Sequence, residues 1–90
     1  MSKVRIPAQL RTLTGGAGEL EIEGSTVGEV LKGLDAGHPG FAERIFDDEG
    51  GLRRFVNVFL DEEDVRFLDG LSTPVTPGQT ISIVPAVAGG

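Results

Sequence analysis

Ninety residues, 39% hydrophobic and 24% charged, make one small globular domain, too short for two cores. A net charge of −6 gives no electrostatic footprint for nucleic acid or for an anionic membrane surface, and favours basic patches on protein partners instead. The absence of cysteine excludes disulfides and thiolate zinc sites, no apolar run approaches a membrane span, and Met1–Pro7 carries no secretion signal, so a cytoplasmic protein is expected.

The chain opens with strand-like alternation: Val4 and Ile6 fall on one face, Lys3 and Arg5 on the other. Leu10 to Thr14 is less regular, and Thr14-Gly15-Gly16-Ala17-Gly18 reads as a hairpin turn; with no following Lys and no helix after it, it does not read as a phosphate cradle. A second alternating run sets Leu20 and Ile22 against Glu19, Glu21 and Glu23. Antiparallel pairing of these two runs would bring basic and acidic side chains together on the outer face.

Thr26-Val27-Gly28-Glu29 is a capping-box sequence, and Val27, Val30, Leu31 and Leu34 follow with the spacing of an amphipathic helix that Gly37 and Pro39 end. His38, the only histidine, belongs to that helix end; with no second His and no Cys it forms no metal site and no catalytic set. Phe41 to Phe46 forms a short helical turn, and Asp47-Asp48-Glu49-Gly50-Gly51 a polar loop.

Phe55 to Leu60 carries the strongest strand signal. Asn57 decides its orientation, because a buried amide needs partners for all its polar atoms. Val56, Val58 and Leu60 therefore face the core, and Phe55, Asn57 and Phe59 face outward. Asp61-Glu62-Glu63-Asp64 turns the chain as a solvated hairpin; it lacks the ligand spacing and the glycine of a calcium loop. Val65 and Phe67 then point inward and Arg66 outward, and after the connection Leu71–Gly78 the final strand buries Ile81 and Ile83.

The element order is β-β-α-β-β-β. It predicts an α+β domain, a mixed sheet of about five strands with one main helix on one face and the first and last strands adjacent at its centre, which is a β-grasp. The predicted division is a domain over residues 1–86 and a flexible tail over 87–90. The uncovered sheet face meets solvent or a partner. Phe55 and Phe59 on it either pack at the sheet rim or form a docking patch together with Pro85, and Arg5, Arg54 and Arg66 either rim that patch or are solvated.

The chain ends Pro85-Ala86-Val87-Ala88-Gly89-Gly90. Two terminal glycines add nothing to a packed domain. They suit a carboxylate that enters a partner's narrow channel and is attacked at its acyl carbon. Val87, Ala88, Gly89 and Gly90 reach about 13–14 Å when extended, and Pro85, with fixed φ and no N–H, ends strand pairing ahead of them.

This tail, Arg54-Phe55-Val56-Asn57 and Asp64-Val65-Arg66-Phe67 together resemble the ubiquitin-like sulfur carriers of the MoaD/ThiS family, with a closer resemblance to the CysO type. The resemblance covers essentially the whole chain. It implies a protein co-substrate that is not an enzyme and binds no cofactor. An activating adenylyltransferase/sulfurtransferase of the MoeZ/MoeB/ThiF type uses ATP to adenylate Gly90, and sulfur displaces AMP to leave a thiocarboxylate. The implied acceptors are a cysteine synthase, or a synthase of the thiosugar or thiazole type, with a JAB-type metalloprotease releasing cysteine in the first route. The other reading of the same carboxylate is a ubiquitin-like modifier joined to lysines through Gly90. The lack of cysteine is either chance or protection of such an acyl intermediate from internal capture.

Overall fold

A computed structural model describes residues 2–53 and 56–85. It contains β1 (Ser2–Arg5), β2 (Glu19–Ile22), α1 (Val27–Gly37), α2 (Phe41–Ile45), β3 (Val56–Leu60), β4 (Glu63–Asp64) and β5 (Thr80–Pro85), joined in places by 3-10 turns. The five strands form one sheet in the order β2-β1-β5-β3-β4. β5 occupies the centre, parallel to β1 and antiparallel to β3, and β1 and β2 are antiparallel. With α1 across one face, this is the expected β-grasp.

The alternation seen along the chain is the alternation of burial. Val4, Val58, Ile81 and Ile83 from the sheet meet Val27, Val30, Leu31 and Leu34 of α1, and Phe41 and Ile45 of α2 close the end of the core. On the opposite face Arg5 lies against Glu19 (3.6 Å) and Lys3 reaches the same carboxylate (3.9 Å). These pairs are about half exposed, so they help set register and add little stability.

The helix entry combines local and long-range bonds. The Glu29 N–H donates to Thr26 Oγ1 (3.2 Å), as a capping box requires. The Glu29 carboxylate reaches one residue further back than expected and accepts from the Ser25 N–H (2.9 Å). The segment before the helix also bridges Thr73–Val75: the Val27 N–H donates to Thr73 O (3.0 Å) and the Val75 N–H to Ser25 O (2.9 Å). Thr26→Ala removes the cap oxygen and lowers unfolding free energy by about 0.5–2 kcal/mol in urea titration. At the other end the His38 N–H donates to Leu34 O, and Asp35 Oδ1 accepts from Gly40 N (3.2 Å) and Ala42 N (2.8 Å). One carboxylate so ties the end of α1 to the start of α2. Gly40 has φ 116°, and a Cβ there would stand 2.8 Å from Leu13 Cδ2.

Three expectations require correction. The stretch Thr14–Gly18 is not a hairpin turn between strands. It closes a 3-10 segment, Ala8–Thr14, that buries Leu10 and ends at Gly15 with φ 69°. The segment Val65–Phe67 is not a strand: β4 is only Glu63–Asp64, and a 3-10 turn follows. Asp64 Oδ1 accepts from the Arg66 N–H (2.8 Å) and the Leu68 N–H donates to Val65 O (3.0 Å), which bends the chain. With three residues per turn, side chains two apart no longer share a face. Val65 stays fully buried, whereas Phe67, expected inward, is 86% exposed. Finally, the acidic turn is not merely solvated. Asp61 adopts φ 57°, its Oδ1 accepts from the Thr80 N–H (3.0 Å) and its Oδ2 from Gln79 Nε2 (3.2 Å), tying the turn to the start of β5.

Candidate functional site

The chemistry expected of this chain lies past the end of β5, so the site begins with how that strand is held. The last pairs of the ladder are Asn57↔Val84 and Val56↔Pro85. Pro85 is the final described residue of β5 and stands opposite Val56, the first residue of β3. Val87, Ala88, Gly89 and Gly90 follow it in sequence and, like Phe55 and Arg54, lie outside the described residues.

The sheet face turned away from α1 is exposed or half-buried throughout. Register places Glu19, Arg5, Ser82, Phe59 and Asp64 in one row across all five strands. Phe59 is half-buried in this row and points outward as expected. Val84, 43% exposed, stands on the same face near the end of β5. An open groove between Arg5, Ser82 and the turn Asp61–Glu63 gives the face an acidic wall, suited to basic side chains of a partner.

Two features of this region were not read from the sequence. Val84 is an exposed apolar residue, for which β5 alternation (Ile81 and Ile83 in, Ser82 and Val84 out) was a usable signal. Arg66 was assigned to the rim or to solvent, yet it is bonded back to the sheet. Its Nη1 donates to Asn57 Oδ1 (2.7 Å), and its Nη2 donates to Arg53 O (2.7 Å) and Val56 O (2.7 Å). The outward amide that oriented β3 thus has a charged partner. Among the described residues no group of three or more His, Cys, Asp or Glu side chains could hold a metal ion, and no helix is long and apolar enough to cross a membrane.

Comparison with known proteins extends these observations along nearly the whole chain. Residues 4–90 match the ThiS family. The chain is 45% identical over 89 residues to the sulfur carrier protein CysO of Mycobacterium tuberculosis, covering 97% of this chain and 96% of that protein. It is 41% identical over 66 residues to small archaeal modifier protein 3 of Haloferax volcanii, covering 73% and 71%. Its structure superposes with a TM-score of 0.93 on a chain of the Amycolatopsis orientalis BexX/CysO complex, at 44% identity and with complete coverage of both chains.

Proposed function

The chain belongs to the ThiS family and is CysO-like, and on that premise we propose that it is a sulfur carrier whose Gly90 carboxylate is adenylated and then converted to a thiocarboxylate. The observation that carries this reading is the reach of the family match, which runs through the diglycine to residue 90.

A carboxylate is a poor acyl donor because its oxygen would have to leave as oxide. Attack of a Gly90 oxygen on the α-phosphorus of ATP expels pyrophosphate and gives a mixed anhydride. Hydrosulfide then adds to the acyl carbon and AMP leaves; a persulfide donor gives an acyl disulfide that a partner thiol reduces. ATP is consumed by the activating enzyme, here a ubiquitin-activating-like protein of the MoeB/ThiF type, and the carrier holds no cofactor of its own. The carrier contributes presentation: Val87–Gly90 enters the partner active site while the outer sheet face, with Phe59 and Val84, docks against the partner. The sulfur then passes to a synthase making cysteine or a thiolated metabolite. Likeness to small archaeal modifier protein 3 supports a second use of the same acyl adenylate, ligation to protein lysines.

Incubation with such an activating enzyme, ATP and sulfide is expected to convert the chain to a species heavier by the exchange of one oxygen for sulfur, read by intact mass. No mass change, with an enzyme that thiolates its own carrier under the same conditions, rejects the proposal. Branched lysine peptides in place of the thiocarboxylate favour the modifier.

A further inference from the structure

We propose that Arg66 is a positioning residue for the chemistry at Gly90: its guanidinium clamps the start of β3 and thereby sets where the tail leaves the sheet. The inference rests on the carrier reading above.

Arg66 projects from the turn Val65–Phe67, which fully buried Val65 anchors in the core and the Asp64 carboxylate caps. From there its planar fork meets three acceptors, each at 2.7 Å: the Asn57 side chain and the main-chain carbonyls of Arg53 and Val56. Bonds from a cation are shorter and stronger than neutral ones, and a guanidinium can serve several acceptors at once where an ammonium acts as a point charge. The Arg53 carbonyl also accepts the Val56 N–H (3.0 Å), so the clamp closes the bend that feeds β3. The same bend is held from the other side, where the Arg53 N–H donates to Ile45 O (2.8 Å) and Arg53 Nε to Glu43 O (2.8 Å).

The residues so held are the ones that pair with the end of β5. Val56 lies opposite Pro85 and Asn57 opposite Val84. Among the described residues these are the final pairs of the ladder, so the clamp fixes the end of the described β5 backbone. Without it the ladder frays back toward Val58↔Ile83, which moves the fixed end of β5 two residues, about 7 Å, further from Gly90. A reactive end then starts from a point that is no longer fixed relative to the docked body, and misplacement far from the reacting atoms lowers rate steeply.

The test uses the full chain as Arg66→Met and Arg66→Lys; the Lys variant keeps the charge and decides the matter if the Met variant does not fold. Amide hydrogen exchange is followed on the isolated protein, and thiocarboxylate formation with the activating enzyme. The expected result is exchange at Asn57 and Val84 faster by about tenfold or more, unchanged exchange at Leu60 and Ile81, and a fall of about tenfold in kcat/KM for the carrier. Equal acceleration at both ends of the β3–β5 ladder would mean general stabilisation and overturns the inference. So does unchanged exchange with a kinetic loss, which marks a direct docking contact, and so does faster local exchange with unaltered turnover. A wild-type chain that is never thiolated rejects the carrier reading itself, while the exchange pattern still reports whether Arg66 holds the strand end.

Discussion

A chain whose Gly90 carboxylate is capped as a carboxamide is expected to form neither adenylate nor thiocarboxylate, while its melting temperature stays that of the uncapped protein. The amide has no anionic oxygen to attack the α-phosphorus of ATP, so the reaction stops before any sulfur chemistry. The outer sheet face proposed to dock is untouched, so the capped chain is expected to compete with the uncapped one for the proposed activating enzyme, with an inhibition constant near the KM of the carrier. Deleting Gly90 has a related consequence: the new carboxylate of Gly89 falls short of its former place by about 3.5 Å, too far for in-line attack on a bound nucleotide. Intact mass after incubation with ATP and sulfide reads both variants. Sulfide delivery by the carboxamide at the uncapped rate would show that the reactive group lies elsewhere in the chain.

The largest loss of stability is expected from Phe41→Ala. Phe41 is fully buried and among the largest side chains of the core, where α2 closes the end of the space between α1 and the sheet. Truncation removes the transfer free energy of the ring and leaves a cavity, together about 3–5 kcal/mol. A ninety-residue domain has a total of about 5–13 kcal/mol to lose. The substitution therefore takes a large share of the whole and lowers the melting temperature by about 4–8 °C per kcal/mol lost. Urea titration followed by circular dichroism measures it. A loss below about 1 kcal/mol would mean that neighbouring side chains collapse into the space and that the ring is not a core element.

Where one face of an element is buried and the other is wet, the sequence displays the structure directly. Val4, Ile6, Leu20 and Ile22 alternate with Lys3, Arg5, Glu19 and Glu21, and the strands that result pair as that pattern requires. Thr26 and Glu29 mark the start of α1 because capping is local. Asn57 oriented β3 because an amide cannot be buried without partners. The misreadings fall where a pattern is short or where the partner is main chain. Val65 and Phe67 satisfy a strand alternation, but three residues fit one 3-10 turn equally well, and the bond from Arg66 N–H to Asp64 selects the turn. Arg66 gave no sign of its role because two of its acceptors are carbonyls of Arg53 and Val56, groups that every residue possesses. Asp61 was taken for a solvated charge for the same reason, its Oδ1 accepting from the main-chain N–H of Thr80. In the functional region, Phe59 and the outward face were legible, whereas the anchoring of the strand end was not.

The central place of β5 also governs when the domain can form during synthesis. Val4 pairs with Ile81, 77 residues later, and Val58 with Ile83. The sheet has no middle until those residues have left the ribosome, and β1 with β2 is until then a lone two-stranded ribbon, marginal in water. Folding must close a long loop before the contacts that reward it exist, so it is slower than that of a helical protein of this size. A translation product cut short before Thr80 has no native state to reach. Acquisition of the folded body is thereby coupled to completion of the segment that leads into the diglycine, and chains terminated before it do not accumulate in a folded form.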